Sequence, residues 1–237
     1  MYNIIYEMKH QSRFDAGYGM LGGGALGRPR GLWDWDNLEI VIDIINNNKK
    51  KIYARSCEVK EIKKKKIIDE FLNENHLQGT CRGQNIKLGL YYNNELVELM
   101  TFGKPIYNKK YEYELLRLCT KLGYFVIGGA SKLFTYFKEK YCPNSIISYC
   151  DKSKFDGKIY NNLGFNLIDT TQPACHWCER HCKIHITDNL LRKLGADAIL
   201  GTSFDKGTSN EQIMLNNGFV QVYDCGQYVF EYKNNNI

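Results

Sequence analysis

One run constrains the fold of this chain more than any other. From Glu114 through Tyr124-Phe-Val-Ile-Gly-Gly-Ala130 to Phe134 the sequence reads as a strand, a tight glycine turn and the first turn of a helix. A helix N-terminus presents unpaired backbone N–H groups and the positive end of the peptide dipoles. Two glycines let backbone approach an anion with no Cβ in the way, so the turn suits a phosphate or pyrophosphate. Leu133, Phe134, Phe137 and Tyr141 fall at i, i+1, i+4 and i+8, which predicts an amphipathic helix. Pro143 stops it, and Ser145 to Cys150 reads as a short buried strand. A Gly-Gly-Ala-Ser turn alone also fits an ordinary strand-to-helix connection.

The rest of the chain supplies a setting for that turn. Ile52 to Val59 reads as a strand, and Lys63 to Asn75 as a helix with Ile67, Ile68, Phe71 and Leu72 on its inner face. Ile86 to Tyr92 and Glu95 to Phe102 form a predicted hairpin across Asn93-Asn94, a pair suited to positive φ. Tyr113 to Leu118 is the next strand. After Asp151 a short segment ends in Leu163-Gly-Phe165, and Asn166 to Asp169 reads as a strand. A helix from Asp188 to Leu194, capped by Thr187 or Asp188 and stopped by Gly195, is followed by a helix from Asn210 to Asn217. Val220 to Tyr223 and Gln227 to Tyr232 read as a final strand pair. The fold class is α+β, with a mixed central sheet flanked by helices.

This order resembles the GNAT-type N-acetyltransferase fold. The resemblance places an acyl-coenzyme A, acetyl-CoA or another, at the turn formed by Val126, Ile127, Gly128, Gly129, Ala130, Ser131 and Lys132. It gives Tyr160 the part of general acid to the leaving thiolate, with Gly164-Phe165 ending its helix. The usual basic residue ahead of the turn is missing. Asn75-His-Leu-Gln-Gly79, Leu88-Gly-Leu-Tyr-Tyr92, Met100-Thr-Phe-Gly-Lys104, Glu114-Leu-Leu-Arg117, Gly128-Gly-Ala-Ser-Lys132 and Ile147-Ser-Tyr-Cys-Asp151 look like a phage-associated branch of that fold, which includes the Mom-like DNA-modification proteins and domains of phage homing endonucleases. Members of the Mom-like branch put a carbamoylmethyl group on adenine N6, which protects phage DNA from restriction. The resemblance thus implies DNA as partner, the host bacterial cytoplasm as location and His76, Asp151 and Tyr160 as catalytic residues, with Arg117 on the substrate. No nuclease module is visible. A catalytically inactive binding module and a general amine or protein N-acetyltransferase are the competing readings.

Composition bears on partners. The chain has 237 residues, net charge +6 and 43% hydrophobic residues, so it holds a core without disulfides. Between Lys49 and Lys66 there are nine Lys or Arg against two Glu, an excess of seven that leaves the remainder at −1. Lys63, Lys64, Lys65 and Lys66 are the centre of this segment and candidate contacts to a polyanion. A solvated helix start in a Lys-rich chain fits the same charges. No apolar run has membrane-spanning length, and no signal peptide is expected.

Three segments are expected: an N-terminal arm with a short helix over 1–48, an acyltransferase-like domain over 49–174 and a C-terminal extension over 175–237. Seven of the 21 glycines lie between Gly17 and Gly31, where Arg28 and Arg30 flank Pro29. Leu38 to Ile45 has helical spacing. In the extension Cys175, Cys178 and Cys182 carry metal-ligand chemistry at close spacing, with zinc or iron as the candidate ion and reduced surface thiols as the competing reading. A homodimer is compatible with everything above.

Overall fold

The computed structural model describes residues 42–43, 49–179, 185–201, 203 and 207–234. The N-terminal arm, most of the helix expected at Leu38 to Ile45, and Cys182 lie outside the described residues.

Seven strands form a mixed central sheet. They are β2 (Glu58–Glu61), β3 (Ile86–Tyr92), β4 (Glu95–Gly103), β5 (Tyr113–Thr120), β7 (Ser145–Asp151), β8 (Asn166–Thr170) and β12 (Gln227–Lys233). Their spatial order is β2-β3-β4-β5-β7-β12-β8. All neighbours are antiparallel except β5 and β7, which are parallel. Helix α1 (Lys65–Asn75) and helix α2 (Gly129–Tyr141) flank this sheet, and α3 (Lys158–Asn162) follows β7. This α+β arrangement is consistent with the GNAT-like architecture expected above.

Local chemistry explains each element. Asn93 and Asn94 take φ of 50° and 65°, the left-handed pair that a two-residue hairpin turn needs. Phe134 and Phe137 of α2 pack on the sheet, where Phe137 stacks on Phe102 of β4 and meets Tyr113 edge-on. The smaller core under α1 joins Ile68, Phe71 and Leu72 to Leu99 and Cys119. The β3–β4 register slips at Leu90/Tyr91, so one strand accommodates an extra residue there. Glu98 then shares a face with Met100 and Phe102, under α2.

Several expectations are corrected. Ile52 to Val59 is two strands: β1 (Lys50–Tyr53) and β2, separated by a 3₁₀ turn over Ala54–Ser56. The run from Glu114 to the glycine turn is also two strands, since the chain reverses at Gly123 (φ 76°) and starts again as β6 (Tyr124–Ile127). Strands β1 and β6 pair in parallel in a sheet of their own. Ile67 is 38% exposed rather than inward. Helix α1 begins at Lys65, and its buried stripe is Ile68, Phe71, Leu72 and Asn75, spaced at i, i+3, i+4 and i+7.

The last two strands do not pair with each other. Strand β11 (Phe219–Tyr223) pairs with β9 (Cys175–Glu179), which also pairs with β10 (His185–Thr187). Strand β12 instead enters the central sheet between β7 and β8. The C-terminal segment therefore contains a strand of the central sheet, and what lies between β8 and β12 is an insertion. Helices α4 (Asp188–Leu194), α5 (Ala196–Leu200) and α6 (Asn210–Asn216) accompany the three strands. They enclose a separate core around Trp177, Ile186, Leu191, Met214 and Phe219. Thr187 caps α4 by accepting the Leu190 N–H, and Gly195 ends it at φ 81°. Among the described residues no helix is long and apolar enough to cross a membrane.

Candidate active site

The centre of the sheet is where the site forms. Strands β5 and β7 are paired only at Tyr113 with Ile146 and Glu114 with Ile147. The β4–β5 register then shifts between Thr101 and Phe102, which face Arg117 and Leu115 and leave Leu116 as an extra residue on β5. Such a bulge bends its strand. Past Glu114 the two parallel strands separate, and a cleft of about 430 Å³ opens beside them.

Buried carbonyls on a bent strand need partners from elsewhere. Two side chains supply them here. Ser148 Oγ donates to Leu115 O at 3.0 Å, and Arg117 Nη1 donates to Leu116 O at 2.8 Å. Arg117 Nε also donates to Gly79 O at 3.0 Å, which ties β5 to the turn after α1. The mid-strand charge of Arg117 is thus held by backbone oxygens at the edge of the cleft.

His76, Arg117, Asp151 and Tyr160, expected from sequence as site residues, all line this cleft. His76 is the C-cap of α1, and its Nδ1 accepts the Gln78 N–H at 3.0 Å. The neutral ring therefore carries its proton on Nε2 and offers a donor. Burial, with the Arg117 guanidinium nearby, depresses its pKa from 6.5 to about 3. A ring fixed in this way is a hydrogen-bond donor and a poor general base.

Asp151 closes β7, where its Oδ1 accepts from Ser153 N and Oγ and its Oδ2 lies 3.3 Å from Lys154 Nζ. Tyr160, on α3, stacks on Phe230 with ring centroids 4.6 Å apart. Its hydroxyl donates to Tyr149 O at 3.5 Å and lies 3.3 Å from Ser148 Oγ. Burial pushes its phenol up to about 12, so it holds its proton at neutral pH.

The glycine turn is built differently. Gly128 caps α2 at φ 76°, in the left-handed region, while Gly129 and Ala130 are buried and Ser131 is exposed. A Cβ on Gly129 would stand 1.6 Å from Glu98 Oε2. The bare backbone thus makes room for a carboxyl group of this chain. Glu98 is 4% exposed, and no hydrogen-bond partner among the described residues reaches its Oε2. Burial pushes its pKa up to about 8. Lys132 Nζ donates to Ala54 O and Cys57 O, so it braces the 3₁₀ turn. None of Val126, Ile127, Gly128, Gly129, Ala130, Ser131 and Lys132 lines the cleft; strand β6 leads to them from Tyr124, which does.

Of the lysines, Lys65 pairs with Asp69 and Lys66 with Glu70, both along α1. Lys63 and Lys64 precede the helix and are exposed. None of the four lines the cleft. Cys175 and Cys178 lie on β9, where an odd spacing puts them on opposite faces. Among the described residues, which leave out Cys182, no three His, Cys, Asp or Glu side chains are placed to hold a metal.

Sequence reasoning missed Ser148 and Glu98. Each left a faint signal, a polar residue inside an apolar strand run: Ile146-Ile147-Ser148 and Leu96-Val97-Glu98-Leu99.

No family model and no curated protein matches this chain. Among solved structures, a Bacillus subtilis acetyltransferase in complex with CoA is similar at 12% identity and a TM-score of 0.40, covering 75% of this chain and 99% of that one. A GNAT family acetyltransferase from Elizabethkingia anophelis with acetyl-CoA bound is similar at 10% identity and 0.38, covering 76% and 99%. A GNAT family acetyltransferase from Bacillus cereus is similar at 11% identity and 0.41, covering 75% and 97%. Likenesses of this strength carry no functional weight.

Proposed function

We propose that the chain is an acyl-CoA-dependent N-acyltransferase whose thioester lies in the cleft between β5 and β7. The observation that carries this reading is the splay of two parallel strands beside a protonated, positioned Tyr160. An extended acyl-thioester arm fits against a strand edge whose backbone groups have no ladder partner. The resemblance to the GNAT fold supports the same placement. Strand β6 then leads from the cleft wall toward the exposed start of α2, where Ser131 and the first N–H groups would meet the phosphates.

The chemistry assigns one task to each residue. An acceptor amine attacks the thioester carbonyl, and a C–N bond forms. Asp151 orients the amine, and His76 Nε2–H donates to an oxygen of the substrate. As the C–S bond breaks, Tyr160 gives its proton to the departing sulfur. The phenolate regains a proton from the nitrogen, so the reaction is balanced with amide and free thiol as products. Calorimetry with acetyl-CoA, followed by an assay for released thiol with a panel of amines, tests the proposal. Absence of both binding and thiol release overturns it.

A second reading concerns the acceptor. The Lys49 to Lys66 segment favours a polyanion, and the Mom-like resemblance names adenine N6 in phage DNA. Internal pairs temper that charge: Lys49 with Asp43, Lys60 with Glu58, and the two pairs of α1. An enzyme acting on a base must first take it out of the stack. Mass spectrometry of nucleosides from cells expressing the chain tests this reading, with a new nucleoside expected. The change Lys63→Glu with Lys64→Asp should weaken duplex binding and reduce its salt dependence. Unmodified DNA and unchanged binding would leave small amines or proteins as acceptors.

A further inference from the structure

We infer that Ser148 is a positioning residue whose single hydroxyl proton switches between Leu115 O and Tyr160 Oη, so that it stabilises the phenolate left when Tyr160 gives up its proton. The inference deepens the acyl-transfer reading and rests on it for its chemistry, while the hydroxyl pair can be tested without it.

The geometry sets the terms. Ser148 is 1% exposed and sits on β7 where that strand parts from β5. Its Oγ is a donor with two acceptors in reach, Leu115 O at 3.0 Å and Tyr160 Oη at 3.3 Å. A serine has one proton, so it serves one of them at a time. With Tyr160 neutral, the shorter contact to the carbonyl wins, and the phenol points its own proton to Tyr149 O at 3.5 Å. That last bond is long, so the phenol O–H is only loosely oriented by it.

Transfer to sulfur reverses the preference. The Tyr160 O–H bond breaks, the S–H bond forms, and a buried oxygen anion remains against Phe230. A buried anion without a donor is costly, and a hydrogen bond to a charged oxygen is stronger than one to a neutral carbonyl. Rotation about the Ser148 Cβ–Oγ bond swings the hydroxyl proton from Leu115 O to the phenolate while Oγ and the backbone stay in place. When the phenolate recovers a proton from the acceptor nitrogen, Ser148 returns to Leu115 O. Arg117, one residue past the bulge, adds favourable charge from the β5 side. The strand splay thus holds the hydroxyl between a structural and a chemical partner.

The test has two arms. In the first, 3-fluorotyrosine is placed at position 160 and its ionisation followed by fluorine NMR. Ser148→Ala should lower its ionisation constant about tenfold, and Ser148→Thr should restore it. Ser148→Cys, similar in volume and a poor donor, should behave as the alanine variant if the latter fails to fold. In the second arm, Ser148→Ala should reduce kcat for acyl transfer about tenfold to a hundredfold while KM for acyl-CoA changes little. In a Tyr160→Phe background the same change should have no further effect on kcat. An unmoved fluorotyrosine midpoint, or an equal loss of kcat in both backgrounds, overturns the inference. A shifted midpoint in a protein that neither binds nor turns over acyl-CoA supports the hydroxyl pair and sinks the acyl-transfer reading instead.

Discussion

The glycine turn at Gly128 to Lys132 and the cleft between β5 and β7 look alike in sequence terms and differ in what they enclose. Each lies beside a strand-to-helix connection, β6 to α2 at the turn and β7 to α3 at the cleft. Beneath the turn, the space next to Gly129 is filled by the carboxyl of Glu98. Between β5 and β7 the backbone opens and leaves about 430 Å³ lined by four of the polar residues singled out from sequence. The same local pattern therefore serves to accommodate a side chain in one place and to border a cavity in the other. What separates them is a register shift on β5 and one on the β3–β4 hairpin, and neither has a residue signature of its own.

The largest expected effect sharpens the comparison from the cleft side. Tyr160→Phe should lower kcat about a hundredfold or more, with KM for acyl-CoA nearly unchanged, because only the proton donor is lost. The ring keeps its stacking on Phe230, so the melting temperature should stay within a few degrees. Steady-state kinetics with thiol detection read this directly. A full loss of acyl-CoA binding would mean that Tyr160 shapes the cleft rather than acts in it.

On the turn side, Gly129→Ala should destabilise by about 1–3 kcal/mol through overpacking against Glu98 and Val126. Glu98→Ala in the same chain should recover part of that loss, as seen in denaturant unfolding, since it vacates the crowded position. If the double variant is no more stable than Gly129→Ala alone, the glycine is required for something other than Glu98.

Ser131→Glu asks whether phosphates reach the turn at all. Ser131 is exposed in the first turn of α2, where a negative charge favours the helix by about 0.3–1 kcal/mol. The same charge would repel a pyrophosphate. Stability should hold or rise while affinity for acetyl-CoA falls about tenfold, a pair of opposite signs that simple damage to the fold does not produce. Unchanged affinity by calorimetry would place the phosphates away from the turn.

Much of the fold was legible in the residues. Asn93-Asn94 announced its hairpin, Thr187 and Gly195 bounded their helix, and Phe134 with Phe137 announced the buried face of α2. Of the four cleft residues, His76 and Asp151 were legible as polar groups at element ends and Arg117 as a charge inside a strand, whereas Tyr160 was picked out by the resemblance to the GNAT fold. The missing parts are matters of pairing. Nothing in Val220 to Tyr232 says that one strand joins β9 and the next joins β7 and β8. Likewise, Glu98 becomes a buried group only because the β3–β4 register shift turns it toward α2. Its sequence neighbours alone place it equally well on a solvated face.

The finest comparison sets the two regions against each other in pH. Glu98 has its pKa raised by burial from 4.5 to about 8, so the native state holds that proton more tightly than the unfolded chain. Its contribution is fully present below pH 4.5 and is lost as pH rises through 8, with a slope of at most about 1.4 kcal/mol per pH unit. His76 runs the other way. Its pKa is lowered from 6.5 to about 3, chiefly by burial, so the unfolded chain binds that proton first. Its contribution is present above pH 6.5 and is lost as pH falls toward 3. Glu98→Gln should therefore raise the melting temperature most at pH 8 and above, and flatten its fall on the alkaline side. His76→Asn, whose side-chain oxygen still accepts the Gln78 N–H, should flatten the fall on the acid side and leave the alkaline side as it was. Melting curves from pH 4 to 9 on the two variants and the parent read both slopes. If His76→Asn leaves the acid slope intact, the imidazole is not held neutral beside Arg117, and it becomes available as a base.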